Sequence, residues 1–67
     1  MSKAYKKIAI VGVSKKSLSK AIDNAIAKAN TTVRGLQWFE VDEIRGRIAD
    51  GKVAEYQATL QIGFKLD

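Results

Sequence analysis

Apolar residues along this chain change their spacing several times, and each change marks a new element. From Ala4 to Val13 (A-Y-K-K-I-A-I-V-G-V) β-branched residues dominate, and the segment is predicted to be a strand. Its second half is apolar on both faces, which suits a position inside a sheet that is covered twice. Gly12, Ser14 and Ser17 then end the strand and offer caps for a helix. Leu18, Ala21, Ile22, Ala25, Ile26 and Ala29 recur at the spacing of one helical face, while Asp23, Asn24, Ala27 and Lys28 fall off it. A helix from about Ser17 to Thr31 is predicted, and its half-alanine stripe lets it lie close against a sheet. Asn30, Thr31 and Thr32 break it.

A long extended segment runs from Val33 to Ile48 (V-R-G-L-Q-W-F-E-V-D-E-I-R-G-R-I). At ~3.3 Å per residue it spans roughly 50 Å. Its apolar residues do not keep one parity. Leu36 and Trp38 are even, Phe39 and Val41 odd, Ile44 and Ile48 even again. Such switches call for a bulge that re-aims the side chains, or for burial on both faces. Trp38 and Phe39, as neighbours, must point opposite ways. If Phe39 turns inward with Val41, Trp38 is left on a face that needs a partner; Trp38 as plain core filling is the competing assignment. Asp50-Gly51, between Ala49 and Lys52, is a hairpin signal. The last segment, Val53 to Leu66, alternates: Ala54, Tyr56, Ala58, Leu60, Ile62, Phe64 and Leu66 make one face, and Glu55, Gln57, Thr59, Gln61 and Lys65 the other.

The order is strand, helix, long strand, long strand, an α+β arrangement with one helix on an antiparallel sheet. A helix of ~15 residues is only ~22 Å long. It cannot cover two strands of twice that length, even in a curled sheet. The excess is buried by copies of the chain or left exposed, so oligomerisation is expected.

Composition narrows the chemistry. With 67 residues the chain is read as one domain, 1–67, near the lower limit for folding alone. It has no Cys and no His, which removes disulfides, thiolate ligands and the usual metal ligand and general base, so no metal site is expected. No signal-type apolar run and no bilayer-length stretch is seen, and a cytoplasmic protein without membrane contact is expected. Twelve basic against seven acidic residues give a net charge of +5. The basic residues are scattered rather than interleaved with exposed aromatics, so a solvated surface accounts for most of them and the excess leaves room for a small anionic ligand.

Three blocks carry a resemblance: Y-K-K-I-A-I-V-G-V-S at 5–14, W-F-E-V-D-E-I-R-G at 38–46 and V-A-E-Y-Q-A-T-L-Q-I-G-F-K-L at 53–66. In register over nearly the whole chain, they resemble the dodecins, small flavin-binding proteins that assemble as hollow dodecamers. The resemblance implies a β-α-β-β fold whose three-stranded antiparallel sheet wraps partly around the helix. It implies flavins stacked in pairs between two copies of the tryptophan that is Trp38 here. The glutamine gripping the flavin edge corresponds to Gln57, and Arg45 and Lys65 correspond to basic positions near the flavin's side chain or phosphate. Among flavins FMN comes first, with riboflavin and FAD as alternatives. Some dodecins are described as binding coenzyme A, and Lys3, Lys6, Lys28 and Arg34 are candidates for such an anion. Lys15, Lys16 and Ala9 depart from the usual acidic residues.

The residues themselves agree at two points. Trp offers the largest flat π surface for a planar ligand, and a primary amide carries a donor and an acceptor in one plane, as an isoalloxazine edge requires. For Arg45 and Arg47 a rim salt bridge with Glu43 or Glu40 is the competing assignment. The chain is thus expected to be a non-enzymatic flavin storage or sequestration protein. The alternative is a basic oligomeric nucleic-acid-binding protein; Gln57, Thr59 and Gln61 are poor phosphate ligands, so no nucleic-acid partner is expected. An enzyme would rest on Glu40, Asp42, Glu43 and Glu55 alone, with no nucleophile beside them.

Overall fold

The computed structural model describes residues 3–66. Four elements succeed one another: β1 (Tyr5–Ser14), α1 (Leu18–Ala29), β2 (Leu36–Ala49) and β3 (Lys52–Lys65). The sheet order is β1-β3-β2 with both pairings antiparallel, so the last strand is the central one. The expected β-α-β-β order and three-stranded antiparallel sheet are therefore present. One expectation is overturned: β1 is an edge strand rather than an inner one. Its outward Val11 and Val13 stay exposed within the single chain.

Local chemistry sets the boundaries. Ser17 caps α1 by accepting a hydrogen bond from the Lys20 N–H at 3.0 Å. At the far end the Asn30 N–H bonds the Ile26 carbonyl, and Thr31 Oγ1 donates to the Lys28 carbonyl at 2.6 Å, so the helix stops at Ala29 rather than Thr31. Gly35, with φ +74°, completes the turn, and β2 starts at Leu36 rather than Val33. Asp50 and Gly51 both take positive φ, 52° and 73°, the pair of left-handed residues that a tight hairpin with right-twisted strands requires.

Packing is close because it is built from small residues. Ala21, Ala25 and Ala29 are buried against Ala58, Leu60 and Ile62 of β3. Gly12 does not end β1 but lies buried inside it, opposite Ala58. A Cβ there would run into the Ala21 carbonyl oxygen, so the helix backbone sits directly on the strand. Asn24 ties the same two elements by donating Nδ2–H to the Val13 carbonyl at 2.9 Å.

The helix rests on β1 and β3, and none of its Cα atoms comes within 8 Å of a β2 Cα. The chain is elongated, 55 × 20 × 13 Å, because the β2–β3 hairpin runs on past both. Register shifts fall between Leu36 and Trp38, between Val41 and Glu43, and between Arg47 and Ile48. These are the irregularities that the parity switches called for. Ala54, expected on the helix face, is passed over in the register at the third of them.

Close approach and backbone strain can be told apart by substitution. At equal protein concentration, Gly12→Ala is expected to lower stability by about 1–3 kcal/mol, as overpacking against backbone does. Gly35→Ala meets nothing within 4 Å and is opposed only by its positive φ, so its cost should be lower, about 1 kcal/mol. Guanidinium unfolding midpoints check the order.

Candidate functional site

Direct cross-strand partners share a face, so the register assigns the side chains that it pairs. On the helix side β2 contributes Leu36, Phe39, Val41 and Ile44, opposite Phe64, Ile62, Leu60 and Ala58. On the outer side it contributes Trp38, Glu40, Glu43, Arg45 and Arg47, opposite Gly63, Gln61, Thr59, Gln57 and Glu55. Phe39 and Val41 therefore turn inward and Trp38 outward. Phe39 nevertheless keeps 45% of its surface exposed, because the helix stops short of β2.

Trp38 lies on a seat. Its strand partner is Gly63, and a Cβ at that position would collide with the six-membered ring of the indole. The ring thus rests directly on the β3 backbone. Tyr5, from β1, meets it edge to face with centroids 5.4 Å apart and planes at 68°. The indole Nε1–H donates to Glu40 Oε2 at 2.9 Å. Lys7 Nζ reaches the same carboxylate at 3.3 and 3.4 Å, bridging from β1 across the central strand. The tryptophan still keeps 38% of its surface exposed.

The bond from Trp38, then that from Lys7, hold the Glu40 carboxyl below its ordinary pKa. A depressed carboxylate pKa gives an interaction that is complete above the unfolded value and is lost as pH falls through the folded one.

A second group stands further along the same face. Arg45 Nε donates to Gln57 Oε1 at 2.7 Å, and Gln57 Nε2 donates to Glu55 Oε2 at 2.8 Å. A cation on the oxygen and a carboxylate on the nitrogen fix the amide's orientation. One oxygen lone pair and one N–H remain to face a ligand. Arg45 also lies 3.8 Å from Glu43, with both side chains more than half exposed. Glu40 pairs with Lys7 rather than with an arginine, which corrects half of the expected rim bridge. Between the two groups Gln61 Nε2 donates to Asp42 Oδ2 at 3.0 Å.

Trp38 and Gln57 share a face but do not meet within one chain. Gln57 lies six positions from Gly63 along β3, about 20 Å. Arg45 and Lys65 are likewise at opposite ends, Arg45 opposite Gln57 and Lys65 opposite Tyr5. Of the other candidates, Lys6 pairs with Phe64 on the helix side, Lys28 lies in the last turn of α1 and Arg34 in the connection after it, all exposed. The bonds Leu66 N–H to Ala4 O, 3.0 Å, and Lys65 N–H to Gly35 O, 3.3 Å, bring the segments bearing Lys3, Arg34 and Lys65 to one end. Among the described residues no group of three or more His, Cys, Asp or Glu is placed to hold a metal, and no helix is long and apolar enough to cross a membrane.

Sequence reasoning missed Gly63 and the Lys7–Glu40 clamp. Gly63 carried a usable signal, since an isolated glycine in an alternating strand marks a close approach. Glu40 carried one too: two residues beyond Trp38 it must share that face of the strand. Lys7 carried none, because only long-range register brings it there.

The model of the dodecin family matches residues 4–67. The curated dodecin of Thermus thermophilus is 51% identical over 67 residues, all of this chain and 97% of its own. A crystal structure of a Thermus thermophilus protein superposes with a TM-score of 0.95 at 50% identity, covering 98% of this chain and 97% of that one. A more distant structure is the calcium-chelating antigen called calcium dodecin from Mycobacterium tuberculosis. It is 29% identical with a TM-score of 0.82, over 96% of this chain and 91% of that one.

The seat itself is testable without any ligand. Gly63→Ala is expected to lift the indole off β3 and shift the emission of Trp38, the only tryptophan, to longer wavelength. Far-UV circular dichroism should stay unchanged, since the substitution points away from the core.

Proposed function

The chain belongs to the dodecin family, and on that premise we propose that it binds flavins without turning them over. The flavins stack between Trp38 indoles of paired subunits in a closed homododecamer. The observation that carries this reading is the Trp38 indole lying on Gly63, on the sheet face opposite the helix, with more than a third of its surface open. A planar ring held in one orientation loses little freedom when a second ring is laid on it.

The distance along β3 supports a site made by more than one chain. One isoalloxazine cannot span the ~20 Å from Trp38 to Gln57 of the same subunit, so a Gln57 that grips its edge comes from a neighbouring copy. Arg45 then has two tasks: it holds the Gln57 amide and adds positive charge beside a phosphate, which favours FMN over riboflavin or FAD. Lys65, at the other end of β3, would act on a phosphate held by another copy. The basic end that gathers Lys3, Arg34 and Lys65, with Lys6 and Lys28 a short way along the same chain segments, suits a second anion such as coenzyme A.

Uncovered apolar surface supports the assembly. Phe39, Ile44, Ile48 and Val53 are 45, 61, 74 and 55% exposed on the single chain. Ile44, Ile48, Val53 and Tyr56 line one shallow recess of ≈ 280 Å³ at the hairpin end. Apolar surface of this extent is normally buried by association, and self-complementary contacts close into point groups.

A native mass spectrum of the protein as purified is expected to show twelve subunits with bound flavin; a dominant monomer or dimer would overturn the proposed architecture. Trp38→Ala is expected to keep the fold, abolish quenching of flavin fluorescence and weaken binding by roughly 1–3 kcal/mol per ring, as loss of an aromatic stack does. Phe39→Ala should leave quenching in place. The reverse pattern, with Trp38→Ala unfolded and Phe39→Ala folded but no longer quenching, would assign the faces the other way round.

A further inference from the structure

We infer that Glu40, clamped by Lys7, orients the Trp38 indole on Gly63 and thereby ties the strength of ligand stacking to pH. The ligand in this inference rests on the flavin reading above; the geometry does not.

An indole on an open sheet face has several rotamers available, and Tyr5 meets it only from one side. Its one directional tie is the Nε1–H bond to Glu40 at 2.9 Å. A bond to an ionised acceptor is roughly twice as strong as a neutral one. Glu40 would swing freely in turn, but Lys7 holds both of its oxygens from the far side of β3. That bridge exists because position 63, directly opposite both Lys7 and Trp38, has no side chain to stand in the way. Gly63 seats the ring and leaves the passage for the ion pair that aims it.

The carboxylate acts on the ring as well as on its direction. A negative charge at the indole N–H raises electron density in the π system, which strengthens stacking on an electron-poor ring. Protonation of Glu40 removes that charge and the pair with Lys7 together. Affinity should therefore be full above the ordinary carboxylate range and fall as pH drops through the lowered Glu40 pKa. The other groups facing Glu40 are few. β1 brings Lys7 and Tyr5, β3 brings Gln61 and Gly63, and β2 brings Trp38 and Asp42, whose carboxylate takes the Gln61 amide. The helix lies on the opposite face. Asp42 and Glu43, the next paired residue of β2 on this face, with Arg45 3.8 Å from its carboxylate, are the other carboxylates beside it.

Two readouts on the full-length, assembled protein test this. The first is Trp38 emission without ligand; the second is binding of riboflavin, a probe with no phosphate to titrate. Both are recorded from neutral pH downward, over the range in which circular dichroism shows the fold intact. The expected wild-type result is an acid limb in both. Glu40→Gln should abolish the limb and weaken riboflavin severalfold at neutral pH. Lys7→Met should move the limb to higher pH, since one of the groups lowering the Glu40 pKa is gone. Asp42→Asn and Glu43→Gln should each leave it in place. Riboflavin binding and emission in Glu40→Gln that match the wild type at every pH would overturn the inference and leave the flavin reading standing, as would a limb that disappears in Asp42→Asn or Glu43→Gln instead. An emission limb that behaves as stated in a protein taking up no riboflavin would support the positioning role and overturn the flavin reading.

Discussion

A helix of 12 residues gives about 18 Å of cover, and the two long strands of 14 residues run for about 46 Å. Most other features of the molecule answer to that shortfall. The helix spends its cover where it can approach most closely, over β1 and β3, with Ala21 against Gly12 and a core of three alanines, Ala58, Leu60 and Ile62. Close packing makes this core stiff but small. Beyond Leu36, which reaches the core, the helix side of β2 and the hairpin end are left with exposed apolar residues. A chain so built is half of an interface.

The bulges of β2 decide what that interface is made of. A strictly alternating strand would place Leu36, Trp38, Ile44 and Ile48 on one face. Shifts after Leu36 and after Val41 instead return Phe39, Val41 and Ile44 to the helix side. The outer face is then polar except for Trp38, Tyr5, Ala9, Val11 and Val13. An indole among carboxylates, amides and lysines needs polar partners for its N–H and a flat bed for its ring, and Glu40 and Gly63 supply these. The irregular register thus separates two uses of apolar surface. One side buries aliphatic residues; the other offers a single aromatic plane.

Much of this could be read from the chain because it is governed by local spacing. The alanine stripe, the Asp50-Gly51 pair and the alternation of β3 each name their element. The parity switches announced the bulges, and the adjacency of Trp38 and Phe39 reduced their placement to one binary choice. What could not be read depends on who stands beside whom at long range. The doubly apolar second half of β1 looks central in sequence, yet it is an edge, because a second covering surface can come from another chain as well as from another strand. That Trp38 stands opposite Gly63, and so about 20 Å from Gln57, depends on the bulges of β2, whose positions sequence alone does not fix. Glu40 could be placed on the face of Trp38, but its partner Lys7 comes from another strand, 33 positions away.

The two groups on the outer face are complete in different senses. Around Trp38 the indole N–H and the Glu40 carboxylate have their partners, and the ring plane is what remains to offer. Around Gln57 the amide is gripped at both ends, by Arg45 and Glu55, and keeps one donor and one acceptor in a fixed direction. Each group is ordered before anything binds, so ligand binding need not meet the ordering cost again. Neither is a site alone, since a stacking surface lacks direction in its plane and an amide edge lacks area. If both act on one flat, hydrogen-bonding ring, as proposed, they must come from different copies, because one chain holds them about 20 Å apart. The surface that the short helix fails to cover is what can bring copies together and close that gap. Cover and the proposed binding are therefore linked: a longer helix would make a more self-sufficient subunit and remove the reason for the two groups to meet across copies.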